Sequence, residues 1–229
     1  MSTRSQLHPS MSMPVSDVAS VWGPTRFLAA FVLTLLAGCA SSPEAPSAPR
    51  VTSPLLTPTM LEGHGLALLT PVSGPEHEQD RQALALVFAD RFARMRPEVR
   101  VVPLSQTVGA VNRAGLTRAY QRMYETFGDT GVMERDTLAK LRGVCGARYF
   151  ALLRLAEFRR SAEMPATPLG PRADTVVRIR LFLQIWDSTD GTVAWEGVNE
   201  LSQPAGNGAA TTFSAIVERV SAELIARMP

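Results

Sequence analysis

Cysteine, lysine and histidine are scarce in this chain. Two cysteines, Cys39 and Cys145, are too few for the disulfide framework that staples small secreted domains. Lysine occurs once, at Lys140, so the 23 cations are almost all arginine, and 21 acids bring the formal charge to +2. That balance excludes the dense positive field of a nucleic-acid-binding surface. HExxH, GxSxG, the P-loop and GxGxxG are all missing, which removes the usual sequence signatures of zinc proteases, serine hydrolases and nucleotide-binding enzymes. Long apolar runs are missing as well: FLAAFVLTLL, residues 27–36, is half the ~20 residues that span a bilayer. What is present is ordinary globular composition, 45% hydrophobic and 19% charged over 229 residues, enough to bury a core.

The short apolar run has a specific setting. Arg26 precedes it and Leu36-Ala37-Gly38-Cys39 closes it. A cationic flank, a short hydrophobic stretch and small residues at its end make a secretory signal peptide. The last four residues resemble a bacterial lipobox, in which a peptidase reads Leu36, Ala37 and Gly38 and cleaves before an acylated cysteine. The resemblance implies residues 1–38 as signal peptide and Cys39 as the lipid attachment, with acyl chains such as palmitate holding the chain to membrane lipid. Ala40 after the cysteine implies the inner leaflet of the outer membrane, facing the periplasm. Ser, Pro, Ala and Thr fill 15 of the 20 positions from 40 to 59. Such composition buries no core and favours extended backbone, so residues 39–59 are expected to be the lipidated cysteine and its tether, and 60–229 the periplasmic domain.

Within 60–229 the periodicity changes once. Residues 66–72 (LALLTPV) form a continuous apolar run of strand length. Leu84, Val87, Phe88, Phe92 and Met95 follow at helical spacing, with Ser73 and Glu76 offering a capping box and Pro97 a stop. A strand is expected over 99–104, a helix capped by Ser105, a second on Leu116, Tyr120, Met123, Tyr124 and Phe127, and a third ending at Gly146. After that the period is two. Residues 148–158 read as a strand and 159–173, with Pro165, Pro168, Gly170 and Pro171, as a loop. Val177, Ile179, Leu181, Leu183 and Ile185 alternate with Arg178, Arg180, Phe182, Gln184 and Trp186. Asp187–Gly191 turns the chain into a hairpin partner over 192–201, and a last helix carries Phe213, Ile216, Val217, Val220 and Leu224. The expected fold is a single α/β domain with a mixed sheet of about five strands flanked by helices.

Two stretches carry a family resemblance. Leu138-Ala139-Lys140-Leu141 leads through Gly146-Ala147-Arg148-Tyr149-Phe150 into a strand, and Trp186-Asp187-Ser188-Thr189-Asp190-Gly191 continues to Trp195-Glu196-Gly197. They resemble the superfamily of envelope lipoproteins that includes the penicillin-binding-protein activators, the curli-secretion lipoprotein and the amino-terminal domain of the Tol-system β-propeller protein. The resemblance implies an anticodon-binding-like α/β fold and a non-catalytic role, either docking on an envelope partner or self-assembling. A pore of the curli type needs membrane strands of about nine to eleven residues, and the Pro-rich 159–173 segment cannot supply two.

Chemistry is sparse in the residues themselves. His64 and His77, with Glu62, Glu76, Glu78 and Asp80, allow a metal-dependent hydrolase as an alternative, although they lack ligand spacing. Cys145 lies on an apolar helix stripe, the setting of an inert thiol. Gly206-Asn207-Gly208 before the last helix has no basic residue nearby to support a phosphate. Asp187 and Asp190 are explained by their turn. No metal and no cofactor is expected. The remaining candidate is a partner surface of Arg178, Arg180, Phe182, Trp186 and Trp195, since interfaces enrich arginine and aromatics. The same residues would equally serve as packing beneath a helix, with arginines snorkelling outward.

Overall fold

The computed structural model describes residues 50–52, 55–163, 166–167, 170–171, 174–205 and 211–229. The expected signal peptide, Leu36, Ala37, Gly38, Cys39 and the 206–208 segment lie outside the described residues. In chain order the elements are β1 (Arg50–Thr52), α1 (Pro58–His64), β2 (Leu66–Leu68), β3 (Val72–Ser73), α2 (Arg81–Met95), β4 (Val101–Val102), α3 (Leu104–Arg113), α4 (Thr117–Thr130), α5 (Arg135–Cys145), β5 (Tyr149–Glu163), β6 (Ala166–Thr167), β7 (Gly170–Pro171), β8 (Asp174–Asp187), β9 (Val193–Pro204) and α6 (Phe213–Ile225). The protein is an α/β domain with one mixed main sheet, as its periodicity predicts.

The sheet runs β1-β9-β8-β5-β2-β4, with β3 also on β5. β2, β3, β4 and β5 pair in parallel, and β8, β9 and β1 add antiparallel. The chain moves from β2 one way to β4, then back past β2 to β5. Right-handed crossovers in opposite directions put their helices on opposite faces. Two separate cores result. On one face α2 and α6 bury Leu84, Phe88, Phe92, Val217, Val220 and Leu224 against Leu66, Leu68, Leu153, Leu181, Leu183 and Ile185. On the other, α3, α4 and α5 bury Val111, Met123, Leu138 and Leu141 against Ala67, Phe150, Leu152 and Trp186. The alternation along each strand thus divides its side chains between two layers.

Several element ends differ from those the residues predict. Arg50–Thr52 pairs with Glu196–Val198 of β9, and Leu56 is buried in the first core, so the folded unit includes residues within the Ser/Pro/Ala-rich stretch. The 66–72 run breaks around Pro71 into two short strands, because proline cannot donate to a ladder. The Ser73/Glu76 capping box does not form. Residues 75–80 take a 3-10 turn instead, α2 begins at Arg81, and Ser73 Oγ accepts from Arg81 Nε at 3.1 Å. Pro103, not Ser105, stands at the start of α3, and β4 is only two residues long. β5 extends into the expected loop, to Glu163, and β8 begins directly after it, at Asp174, with the β6–β7 ribbon between them. The left-handed Gly146 ends α5 as expected, and the left-handed Gly131 ends α4.

Candidate docking surface

The antiparallel half of the sheet is longer than the helical layer that covers it. On the face of α3–α5, register places Arg154, Phe182 and Val198 side by side. Beyond them come the rows Glu157–Arg180–Glu200 and Arg159–Arg178–Ser202. Arg154, Arg159, Arg178, Arg180 and Ser202 are exposed, and Phe182, Gln184, Glu196 and Glu200 are partly so. The rows are tied across the strands. Arg180 Nη2 meets Glu200 Oε2 at 2.8 Å, Gln184 donates to Glu196 at 2.6 Å, and the Arg154 guanidinium lies 4.3 Å from the centroid of the Phe182 ring. Such exposed cross-strand pairs add at most about 1 kcal/mol each, so they pattern the surface more than they stabilise it.

The structure removes both tryptophans from the expected partner surface. Trp186 is 3% exposed and packs edge-on against Phe127 in the second core, with ring centroids 6.2 Å apart. Trp195 is 1% exposed and belongs to the first core, with the residues of α6. The two lie on opposite sides of the sheet because Trp195 pairs with Ile185, the strand neighbour of Trp186, and successive strand residues alternate between faces. Both are packing residues. Arg178, Arg180 and Phe182 stay on the uncovered face, joined by Arg154, Glu196 and Glu200. Arg154 alternates with the buried Leu153 and Leu155, and that period-two position is the sequence signal that marks it. Ala156 is the extra residue where the β5–β8 register shifts between Leu155 and Glu157.

The other sequence candidates are placed apart or already engaged. His64 ends α1 beside the Tyr149 ring, while His77 packs against Phe158 and lies 3.3 Å from Asp80. Tyr149 and Phe158 are nine residues apart on one strand, about 30 Å at the usual rise, so the two histidines do not share a site. Among the described residues no three His, Cys, Asp or Glu side chains converge as metal ligands. Cys145 is half-buried, and desolvation pushes its thiol up, away from the reactive thiolate. Burial pushes the Asp187 carboxyl up, but the Arg148 guanidinium and the Thr189 amide outweigh it and hold the group below the usual carboxylate range. Asp190 accepts from the Thr192 amide at 3.0 Å. Both aspartates are occupied in their turn.

A groove that the residues alone do not reveal lies at the carboxyl ends of β2 and β4. There α2 and α3 leave for opposite faces of the sheet, the switch point where open α/β sheets form crevices. One hollow of about 440 Å³ lies between α2 and α3, and another of about 680 Å³ is bounded by α4 and β3. Thr70 and Arg81 line both. Tyr120 and Tyr124 of α4 meet the Thr70 backbone here, the Thr70 amide donating to Tyr120 Oη at 2.9 Å and Tyr124 Oη donating to the Thr70 carbonyl at 2.6 Å. Burial, then the neighbouring Tyr120, raises the Tyr124 phenol well above its ordinary value, so it remains a donor.

No protein-family model and no curated protein matches the chain. Solved structures similar to it include the PelC dodecamer from Paraburkholderia phytofirmans, at 15% identity and a TM-score of 0.44, covering 79% of this chain and 98% of that one. Lipoprotein GNA1162 from Neisseria meningitidis is 16% identical with a TM-score of 0.41, over 71% of this chain and 98% of its own. The LpoB C-terminal domain from Salmonella enterica is 16% identical with a TM-score of 0.32, over 62% and 84%.

The arrangement suits binding. An aromatic ring under a guanidinium, flanked by charges of both signs on a rigid sheet, offers apolar area and fixed donors.

Proposed function

We propose that this chain is a lipid-anchored, non-catalytic adaptor of the bacterial cell envelope that docks onto a protein partner. Its anchor is Cys39, acylated after cleavage behind Leu36-Ala37-Gly38, and the residues up to the entry of β1 at Arg50 form the tether. The observation that carries docking is the strand face that none of the described helices covers. Phe182 sits on the solvent side of a sheet whose other aromatic residues pack into the two cores, with Arg154, Arg178 and Arg180 around it. Interfaces enrich this combination at their centres.

The anchor is tested by mass spectrometry of Cys39→Ser, which should remain unacylated and uncleaved. Normal processing of that variant refutes the lipobox. Docking is tested with a photocrosslinking residue at Phe182 or Ser202 in intact envelopes. One stoichiometric heterologous adduct supports the adaptor, an adduct between two copies replaces it with self-assembly, and no adduct overturns both.

A further inference from the structure

We propose that the groove at the ends of β2 and β4 takes an extended peptide from the partner, carrying alternating apolar and acidic side chains. The inference rests on the docking reading and names a second contact within it.

Three observations meet at this groove. The first is its rim: Leu86 of α2 is 70% exposed and Val108 of α3 43%, two large apolar side chains facing water on either side of the smaller hollow. The second is continuity, since Arg154 lines the larger hollow and also stacks on Phe182 of the docking face. A partner lying on that face therefore reaches the groove without crossing the helical layer. The third is charge. Arg81 and Arg154 both line the larger hollow, whereas its one acid, Glu125, already accepts from Gln121 at 2.9 Å. Stacking holds the Arg154 guanidinium by its face, which leaves its in-plane N–H groups for a carboxylate. Arg81 is held by Ser73 and by the exposed Glu78, an ion pair weak enough to exchange. Two hollows sharing one wall suit the alternate side chains of an extended chain.

The probe is a fluorescein-labelled octapeptide of alternating valine and glutamate, compared with its valine–lysine counterpart. Anisotropy is read with the full-length protein in neutral-lipid nanodiscs, empty discs being the blank. The acidic peptide should bind at least tenfold more tightly, and Arg154→Gln and Leu86→Asp should each weaken it about tenfold. Leu86 is exposed, so its variant keeps the fold, which a circular-dichroism melt verifies. Equal binding of the two peptides, or acidic-peptide binding left unchanged by either substitution, overturns the proposal. Arg178→Glu should leave peptide binding within twofold; a larger loss moves the peptide onto the sheet face and overturns the groove as its site. Because Phe182 and Ser202 report on the sheet face, absence of a partner crosslink there with intact peptide binding marks failure of the docking reading alone.

Discussion

The Tyr124 hydroxyl donates a 2.6 Å hydrogen bond to the carbonyl of Thr70, 54 residues away and beyond the end of β2. Tyr120 accepts from the amide of the same residue. Two phenols of one helix thus satisfy both main-chain groups where β2 gives way to Pro71 and the ladder is interrupted. Tyr124→Phe leaves the Thr70 carbonyl without its donor. It should cost about 1–2 kcal/mol, read as a lower midpoint in urea with an unchanged slope. Tyr120→Phe should cost a similar amount, and the double variant less than the sum, because the two hydroxyls are 3.3 Å apart and act as one network.

The Arg148–Asp187 pair contributes to the acid sensitivity of the fold. Arg148 Nη2 lies 2.6 Å from Asp187 Oδ2, and Asp187 also accepts from the Thr189 amide. The Asp187 carboxyl titrates lower in the folded chain than in the unfolded one, so its contribution is present above the unfolded value. That contribution is lost as pH falls through the folded value. Asp187→Asn should destabilise the protein by about 2–3 kcal/mol at neutral pH, and by less in acid. Urea midpoints measured from neutral pH down into the acid range give the comparison; a constant difference between variant and parent would refute the assignment.

Much of this fold is legible in the residues. The helical stripes of α2, α4, α5 and α6 and the alternation of β8 predict which side chains are buried, because one-sided burial imposes a period. What stays hidden depends on partners distant in sequence. β1 forms within a Ser/Pro-rich stretch because β9 offers an edge; Val51 and Thr52 suit a strand, but three residues between prolines are too few to mark one. Trp186 and Phe182 share one face of β8, yet only Trp186 is buried, because Phe127 of α4 packs on it whereas Phe182 has the Arg154 guanidinium over its ring. Trp195 falls on the other face through the register that sets it opposite Ile185, which alternation within β9 alone does not fix. Of the candidate surface, Arg178, Arg180 and Phe182 could be read from alternation, whereas the stacking of Arg154 and the groove at Thr70 required the strand order.

Surface pairs should matter little to stability. Arg180 and Glu200 form a 2.8 Å ion pair with both side chains more than a third exposed, at 44% and 37%. Arg180→Ala should shift the thermal midpoint by an amount equivalent to about 0.5 kcal/mol or less, and added salt should narrow the difference further. A larger loss would mean that the sheet face is structural in its own right. The same measurement makes Arg180 a clean position at which to disrupt docking without unfolding the domain.

Gly197 and Trp195 give the sharpest test of the first core. A Cβ at Gly197 would come within 2.5 Å of Cη2 of the Trp195 indole, a ring that is 1% exposed and has no room to withdraw. Gly197→Ala should therefore destabilise by about 1–3 kcal/mol through overpacking, even though the added methyl group is apolar and alanine suits a strand better than glycine. Trp195→Phe removes the atoms that collide and leaves a cavity, with its own cost of a few kcal/mol. The double variant should be more stable than the two separate losses predict, since the new methyl group enters the space the indole vacates. Additive losses in chemical denaturation would show that Gly197 is needed for its backbone and not for the ring beside it.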